Sequence, residues 1–389
     1  MIKQIYDVII VGGGPAGMAA ALGAAQITNG DEENGGNKRT GVRGQGSGDE
    51  GSLRKNQREA QRSGFALERT NNVTERTPEP ARVQRNEVCE DEGIPHSPRV
   101  VIIERADRLG GILNQCTHTG FGITYFGEEL TGQEYARRFA GRVESSEIDV
   151  LTGTMVLNIG ADRVVTISGA NTGFRQIEAK TVILATGCRE RPAGALPIVG
   201  ARPAGVFTAG SAQKMLNLGG YDIGNRFVIL GSGDVGMIVA RELAMRGKDV
   251  IAVIEKEDRC GGLARNRINC LERYGIPLIT RATVSEIHGM LRICGVTMTE
   301  LYGGSERYIE CDTLITSVGL IPERDLLDAL IACLNSEFCI QNSPPFTAGR
   351  IPDWLYLCGN AAFVHDVVDG VTIGSEQIGR SAAIAALQS

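Results

Sequence analysis

Gly12, Gly14 and Gly17 are spaced as GxGxxG inside Asp7–Gly17 (DVIIVGGGPAG), directly after a run of aliphatic residues. Each glycine meets a separate physical need when such a turn holds a dinucleotide. The first allows a tight turn, the second lets a pyrophosphate come up to the backbone, and the third lets the following helix lie against the strand. That helix, opening at Pro15 and Ala16, would aim free N–H groups and the positive end of its dipole at phosphate. The turn also needs an acidic residue at the end of the next strand, for the adenosine ribose hydroxyls, usually about 20 residues on. Glu104, which closes Arg99–Glu104 (RVVIIE), is the candidate, although it follows Gly17 by 87 residues.

The same grammar returns in Phe227–Gly236 (FVILGSGDVG), where Gly231, Gly233 and Gly236 hold the three glycine positions. Here the acid arrives on time: Glu255 closes Val250–Ile254 and lies 19 residues after Gly236. An acid there accepts the 2′-OH of NAD and repels the 2′-phosphate of NADP, so NADP is the less favoured partner, with Lys256 beside it softening the choice. One GxGxxG is weak evidence. Two complete fingerprints in one chain are far more specific.

Placing two such turns takes two sets of parallel strands separated by helices, an α/β architecture with two Rossmann-like dinucleotide-binding domains. Strands are expected at Tyr6–Val11, Arg99–Glu104, Val150–Leu157, Arg163–Ser168 and Thr181–Ala185. A second set follows at Phe227–Leu230, Val250–Ile254, Leu291–Met298 and Thr313–Ser317. Helices are expected from Pro15 to about Gln26, from Thr131 (with Glu134 three residues on, a capping-box pattern), up to Arg246, and from about Thr372 to Leu387. Residues 29–98 read as a mostly disordered insertion: they are crowded with nearly balanced charge, poor in large apolar side chains, and lack a sustained period. Only Ser52–Ser63 hints at a short helix within it. Its length accounts for the late arrival of Glu104, and it joins the sheet edge away from the ligand side.

The chain has 389 residues, 42% of them hydrophobic, and a net charge of −6. That length suits two domains, and the mild acidity argues against a nucleic-acid binder. Ten cysteines are scattered without a CxxC pair, so no metal site is expected. The absence of an evident targeting segment reads as cytoplasmic, with reduced thiols. Val8–Ile27 is uncharged and long enough to cross a bilayer, but the glycine turn inside it reads as a nucleotide loop and not as a membrane span.

With both turns in place, the chain resembles the two-dinucleotide-domain flavoprotein superfamily of glutathione and thioredoxin reductases. Thr181–Gly187 (TVILATG), Asp312–Pro322 (DTLITSVGLIP) and Trp354–Asn360 (WLYLCGN) carry that likeness. A closer resemblance is to the FAD/NAD subunits of glycerol-3-phosphate, proline, opine and cyanide-forming glycine dehydrogenases. It rests on Gly110–Gly122 (GGILNQCTHTGFG), Arg202–Gln213 (RPAGVFTAGSAQ) and Cys358–Asp369 (CGNAAFVHDVVD), and covers nearly all of the chain outside the insertion.

The resemblance implies that the first turn binds FAD and the second NAD(H), with the NAD domain (219–321) inserted between the two parts of the FAD domain (1–218 and 322–389). It places Gly111, Ala185, Thr186, Gly187, Gly359, Asn360 and Thr372 near the flavin, and points the N-terminus of the last helix at the ring. Cys116 and His118 would lie in a loop approaching it. A lone thiol two residues from an imidazole would there have a lowered pKa and redox use, or else serve in packing. His365 is a further candidate to hydrogen-bond the flavin or a partner's cofactor, or a structural histidine.

Departures narrow the function. The Cys-x4-Cys of the disulfide reductases is reduced to Cys116, with Phe121 in the second place, and the CxxC of thioredoxin reductases is missing. Asn360 replaces the usual aspartate of the second flavin motif. The expectation is an FAD-dependent, NADH-linked oxidoreductase acting as the electron-transfer subunit of a dehydrogenase with a partner subunit. The alternatives are a stand-alone NADH oxidase or peroxidase using Cys116, and a non-enzymatic scaffold.

Overall fold

The computed structural model describes residues 4–27, 97–335 and 351–389. The insertion read over 29–98, with its Ser52–Ser63 helix, lies outside the described residues except for Ser97 and Pro98.

Aliphatic residues without alternation make strands that are buried on both faces, the mark of a parallel sheet between layers. β1 (Gln4–Val11) is such a strand, with Val8, Ile9 and Ile10 fully buried. It leads through the first turn into α1 (Pro15–Ala25) and on to β2 (Val100–Ile103), buried throughout. Then come α2 (Gly132–Glu144), β3 (Asp149–Leu151), β4 (Thr154–Ile159), β5 (Val164–Gly169) and the long β6 (Gly173–Leu184). The capping box on α2 is complete: the Thr131 hydroxyl accepts Glu134 N–H, and Glu134 accepts Thr131 N–H.

The second unit contributes β7 (Val206–Thr208), α3 (Ala209–Asn217), β8 (Arg226–Leu230), α4 (Asp234–Met245), β9 (Asp249–Ile254) and β10 (Leu278–Ile279). A meander of β11 (Ala282–Gly289), β12 (Ile293–Glu300) and β13 (Glu306–Glu310) precedes β14 (Thr313–Thr316). The chain closes with α5 (Asp325–Leu334), β15 (Leu355–Leu357) and α6 (Val368–Leu387).

The first sheet runs β3-β2-β1-β6-β5-β4, with β15 also pairing β6. Its nucleotide-bearing strands are parallel, in register Val8 to Val100 on one side and Val8 to Thr181 on the other. β5 and β4 continue it antiparallel. α1, α2 and α6 cover one face, and α5 covers the other. The second sheet, β7-β14-β8-β9-β10, is parallel throughout, packed between α3 and α4 on one side and the antiparallel meander on the other. Cys188–Glu190 and Leu320–Pro322 pair antiparallel where the chain passes between the units.

α1 and α6 touch backbone to backbone. A Cβ on Gly379 would fall 1.9 Å from the carbonyl oxygen of Ala20, and one on Gly23 would fall 2.3 Å from that of Glu376. Small residues line this seam because nothing larger fits.

Several expected boundaries move. The strand expected at Val150–Leu157 is two strands, β3 and β4, broken at Thr152-Gly153, where Gly153 has φ +58°. The boundary expected at 219 does not follow sheet membership, since β7 and α3 already belong to the second sheet and its core. α6 begins at Val368, four residues ahead of Thr372, because Asp369 finds its hydrogen-bond partners in a distant loop and lets the first turn form early. Among the described residues no helix is long and apolar enough to cross a membrane; Val8–Ile27 is the strand, turn and helix that open the first unit.

Candidate functional site

At the first turn Gly12 has φ +110°, and a Cβ there would meet the Ala185 carbonyl oxygen at 2.5 Å. A Cβ on Gly17 would fall 1.8 Å from Gly12 O, so α1 can sit this close only without a side chain. Gly14 is different. A Cβ there would meet nothing nearer than Gly111 Cα at 4.0 Å, so the way to the backbone is open. α1 has no side-chain cap, unlike α2, which leaves its first N–H groups available to a phosphate. The 7%-exposed carboxylate of Glu104 accepts Gly13 N–H at 2.6 Å and Ala106 N–H at 2.7 Å. These bonds fix the carboxylate at the strand end and leave lone pairs for further donors. An uncapped helix, an open approach at Gly14 and a fixed acid together fit a dinucleotide.

The second turn reproduces this. Gly231 has φ +98° and would press a Cβ to 2.1 Å from Ser317 O. A Cβ on Gly236 would lie 2.7 Å from Ser317 Cβ, and the Ser317 hydroxyl accepts Gly236 N–H at 3.1 Å. α4 also lacks a side-chain cap after Gly233. Glu255 accepts Ser232 N–H at 2.8 Å and the Ser232 hydroxyl at 2.6 Å, and its other oxygen takes Glu257 N–H at 3.1 Å. Beside it opens a cavity of about 400 Å³ edged by Arg259, Cys260, Gly262, Arg267, Leu278 and Thr280.

The likeness extends past the glycines. Glu104–Gly111 (ERADRLGG) and Glu255–Gly262 (EKEDRCGG) share Glu-x-x-Asp-Arg-x-Gly-Gly, and each run folds back on its own turn. Gly110 N–H bonds Gly13 O at 2.8 Å, and Gly262 N–H bonds Ser232 O at 3.0 Å. The glycine-to-acid spacing alone does not reveal this second half of the repeat. Aligning the chain with itself from one acid to the other exposes it.

Around the first turn the structure gathers most of the expected residues. Ala185 abuts Gly12 and Gly17, Gly111 abuts Gly14, and Gly359 fits between Ala16 and Val371. The Thr186 hydroxyl donates to Glu323 O at 2.6 Å, and Gly187 turns with φ +75° toward Cys188. Asn360 Nδ2 lies 3.5 Å from Cys188 Sγ, and its Oδ1 accepts His365 N–H at 3.0 Å. His365 stacks on Phe363 with ring centroids 3.9 Å apart. Thr372 stands away from this group, fully buried in the second turn of α6 with its hydroxyl 2.7 Å from that of Tyr135. At the start of that helix Gly370 is exposed while Asp369 is buried.

Cys116 is buried, its thiol 3.5 Å from Ile112 O and 3.8 Å from Gln213 Oε1. Burial, and then the Glu242 carboxylate, push it up to about 12. His118 goes the other way: burial, then Arg241, push it down to about 4. Its ring tilts onto Phe121, and Nδ1 has no hydrogen-bond partner. The lowered thiol pKa expected from their spacing is therefore overturned, since the loop turns both side chains into the seam against α3 and α4. There Gln115 Nε2 donates to Gly210 O at 2.8 Å, and Asn217 Nδ2 donates to Gln115 O at 2.9 Å and Glu242 Oε2 at 3.1 Å. Cys116, Cys188, Cys260, Cys270, Cys294, Cys311 and Cys358 are free thiols.

Residues 6–362 match the protein family described as pyridine nucleotide-disulphide oxidoreductase. One subunit of alkyl hydroperoxide reductase from Staphylococcus aureus (strain MRSA252), designated F, is 26% identical over 266 residues, 64% of this chain and 48% of that protein. The chain thus spans about half the length of the curated relatives it matches. Thioredoxin reductase of T. acidophilum superposes with a TM-score of 0.62 at 19% identity, covering 99% of both chains. L-proline dehydrogenase from P. horikoshii gives 0.54 at 17% identity over 97% of this chain and 55% of that one. A NAD-dependent persulfide reductase from A. fulgidus gives 0.55 at 16% over 97% and 58%. At these identities the superpositions speak to the fold alone.

Proposed function

The chain belongs to the pyridine nucleotide-disulphide oxidoreductase family and is an FAD/NAD(P)-dependent oxidoreductase; within that frame we propose that it is the electron-transfer subunit of a larger dehydrogenase, linked to NADH. The observation that carries this reading is the pair of like turns, each with an uncapped helix and a backbone-held carboxylate. Gly12, Gly14, Pro15, Ala16, Gly17, Glu104 and Gly111 hold FAD in the first unit, with Ala185, Thr186, Gly187, Gly359 and Asn360 along its flavin half. Gly231, Gly233, Gly236 and Glu255 hold NAD(H) in the second, which takes in β7 to β14.

The cofactors supply hydride transfer between nicotinamide and flavin. The protein's own part is to bind and orient. Glu255, already holding three local donors, meets an NAD ribose with hydrogen bonds and an NADP phosphate with repulsion. No dithiol pair stands where the disulfide reductases carry one, so electrons leave to a partner and not to a thiol substrate. The alkyl hydroperoxide reductase relative is itself named as a subunit, which supports a division of labour. The oxidase or peroxidase reading loses support because the Cys116 thiol is buried and holds its proton.

An anaerobic absorbance spectrum before and after one equivalent of NADH tests the assignment. Flavin bands that bleach are expected, with slow reoxidation by oxygen and fast reoxidation by a dye standing in for the partner. Rapid turnover with oxygen or peroxide alone would overturn the subunit reading. Absence of flavin would overturn the assignment of the first turn.

A further inference from the structure

Asp369 sits in the first turn of α6 and is only 4% exposed. One of its carboxylate oxygens accepts Gly122 N–H at 3.1 Å, and the other accepts Thr124 N–H at 2.7 Å and Tyr125 N–H at 3.3 Å. A carboxylate taken this far from water is tolerated only when its lone pairs are filled, and three amides fill them.

Two more groups on the same face of α6 reach the same neighbourhood. Thr372 meets the Tyr135 hydroxyl of α2 at 2.7 Å, and Glu376 accepts the Tyr125 hydroxyl, whose oxygen also takes an Arg142 N–H at 2.8 Å. Residues 369, 372 and 376 stand three and four apart, so they form one stripe along the helix. That stripe docks on the Gly122–Tyr125 turn and on α2. The start of α6 also adjoins the first dinucleotide turn, since Gly359 lies between Ala16 and Val371.

We propose that Asp369 is a positioning residue for flavin reduction: its carboxylate latches the Gly122–Tyr125 turn onto the start of α6 and sets the charge that a flavin senses from that helix end. The inference rests on the FAD assignment of the first turn. A helix N-terminus presents positive potential that favours a reduced, more negative ring, and a carboxylate in its first turn opposes that potential. Asp369 therefore makes the flavin harder to reduce while holding the loop that carries Cys116 and His118.

Two readouts on the full-length protein separate the parts of the claim, using Asp369→Asn to remove the charge and Asp369→Glu to keep it. In FAD-free protein, hydrogen exchange of the Gly122–Tyr125 amides should speed up about 10- to 100-fold in Asp369→Asn, as bonds to a charged acceptor are lost. In the flavin-loaded protein, the ratio of reduced to oxidised flavin at a fixed ambient potential should rise about three- to tenfold in Asp369→Asn. Asp369→Glu should bring that ratio back toward the wild-type value. Unchanged exchange in Asp369→Asn would overturn the latch. An unchanged ratio, or Asp369→Glu matching Asp369→Asn, would overturn the electrostatic role. Wild-type protein that takes up no flavin would overturn the assignment of the first turn instead, a result distinct from either.

Discussion

The two dinucleotide turns are built alike and walled differently. Each has a left-handed glycine against a carbonyl, a glycine that lets the helix close on the strand, and a carboxylate tied to the backbone. Around the first turn, residues 16 to 24 of α1 are all buried, because α6 lies directly on that helix. α4 keeps a partly exposed face and carries Asp234 in its first turn, and a cavity of about 400 Å³ opens along the Arg259–Arg267 stretch that follows Glu255. On the proposed assignment, the turn backed by a fully covered helix suits a cofactor kept through many turnovers, and the turn backed by a partly exposed helix one exchanged in each. The motif says that a dinucleotide binds.

The largest test of that contrast is Gly17→Val. With a Cβ placed 1.8 Å from Gly12 O, the first unit should lose more than about 4 kcal/mol of stability and the protein should purify without flavin, as read by denaturant unfolding and absorbance. Its counterpart Gly236→Val meets Ser317 Cβ at 2.7 Å. Flavin should stay bound in that variant, while the rate of flavin bleaching by NADH falls about 100-fold through a displaced nicotinamide. Equal flavin loss in both variants would erase the distinction between the turns.

A milder cut removes Glu255. Glu255→Ala should raise the KM for NADH about 10- to 100-fold in dye-reduction assays, leave flavin content unchanged, and narrow the gap between NADH and NADPH. If NADPH use falls as far as NADH use, the carboxylate is not choosing between them.

Smallest of all is the expected effect at the seam between the units. Cys116→Ala should change dye reduction by less than about twofold, in keeping with a thiol used for packing. The same thiol, raised from 9.0 to about 12 by burial, keeps its proton in the folded chain where the unfolded chain releases it. Its contribution to stability is full below pH 9 and is lost as the pH climbs toward 12. Denaturant titrations across that range should show a flatter alkaline limb in Cys116→Ala than in the wild type.

Much of this was legible in the sequence. Both turns, the alternation of strands and helices, and the Thr131–Glu134 capping box depend on residues close together in the chain, and they read directly. The features that escaped depend on distant partners. Cys116 and His118 look like a reactive pair two residues apart, yet their environment is set by Gln213, Arg241 and Glu242, about a hundred residues later. α6 starts early because Asp369 bonds to Gly122, Thr124 and Tyr125, which no local pattern announces. The Glu-x-x-Asp-Arg-x-Gly-Gly repeat belongs to a third kind, present in plain letters but lying beyond the acid at which the dinucleotide fingerprint ends.

The seam between α1 and α6 also orders events in time. Gly23 and Glu376, whose backbones meet there, are 353 residues apart in the chain. At a synthesis rate of about 5–20 residues per second, the earlier helix emerges roughly 20–70 seconds before its partner exists. The second unit, whose strands and helices are all local to 199–316, can fold on the ribosome meanwhile. Until then the Ala-rich helix lacks the partner that covers it in the folded chain, so on the proposed assignment cofactor capture at the first turn would follow the emergence of α6.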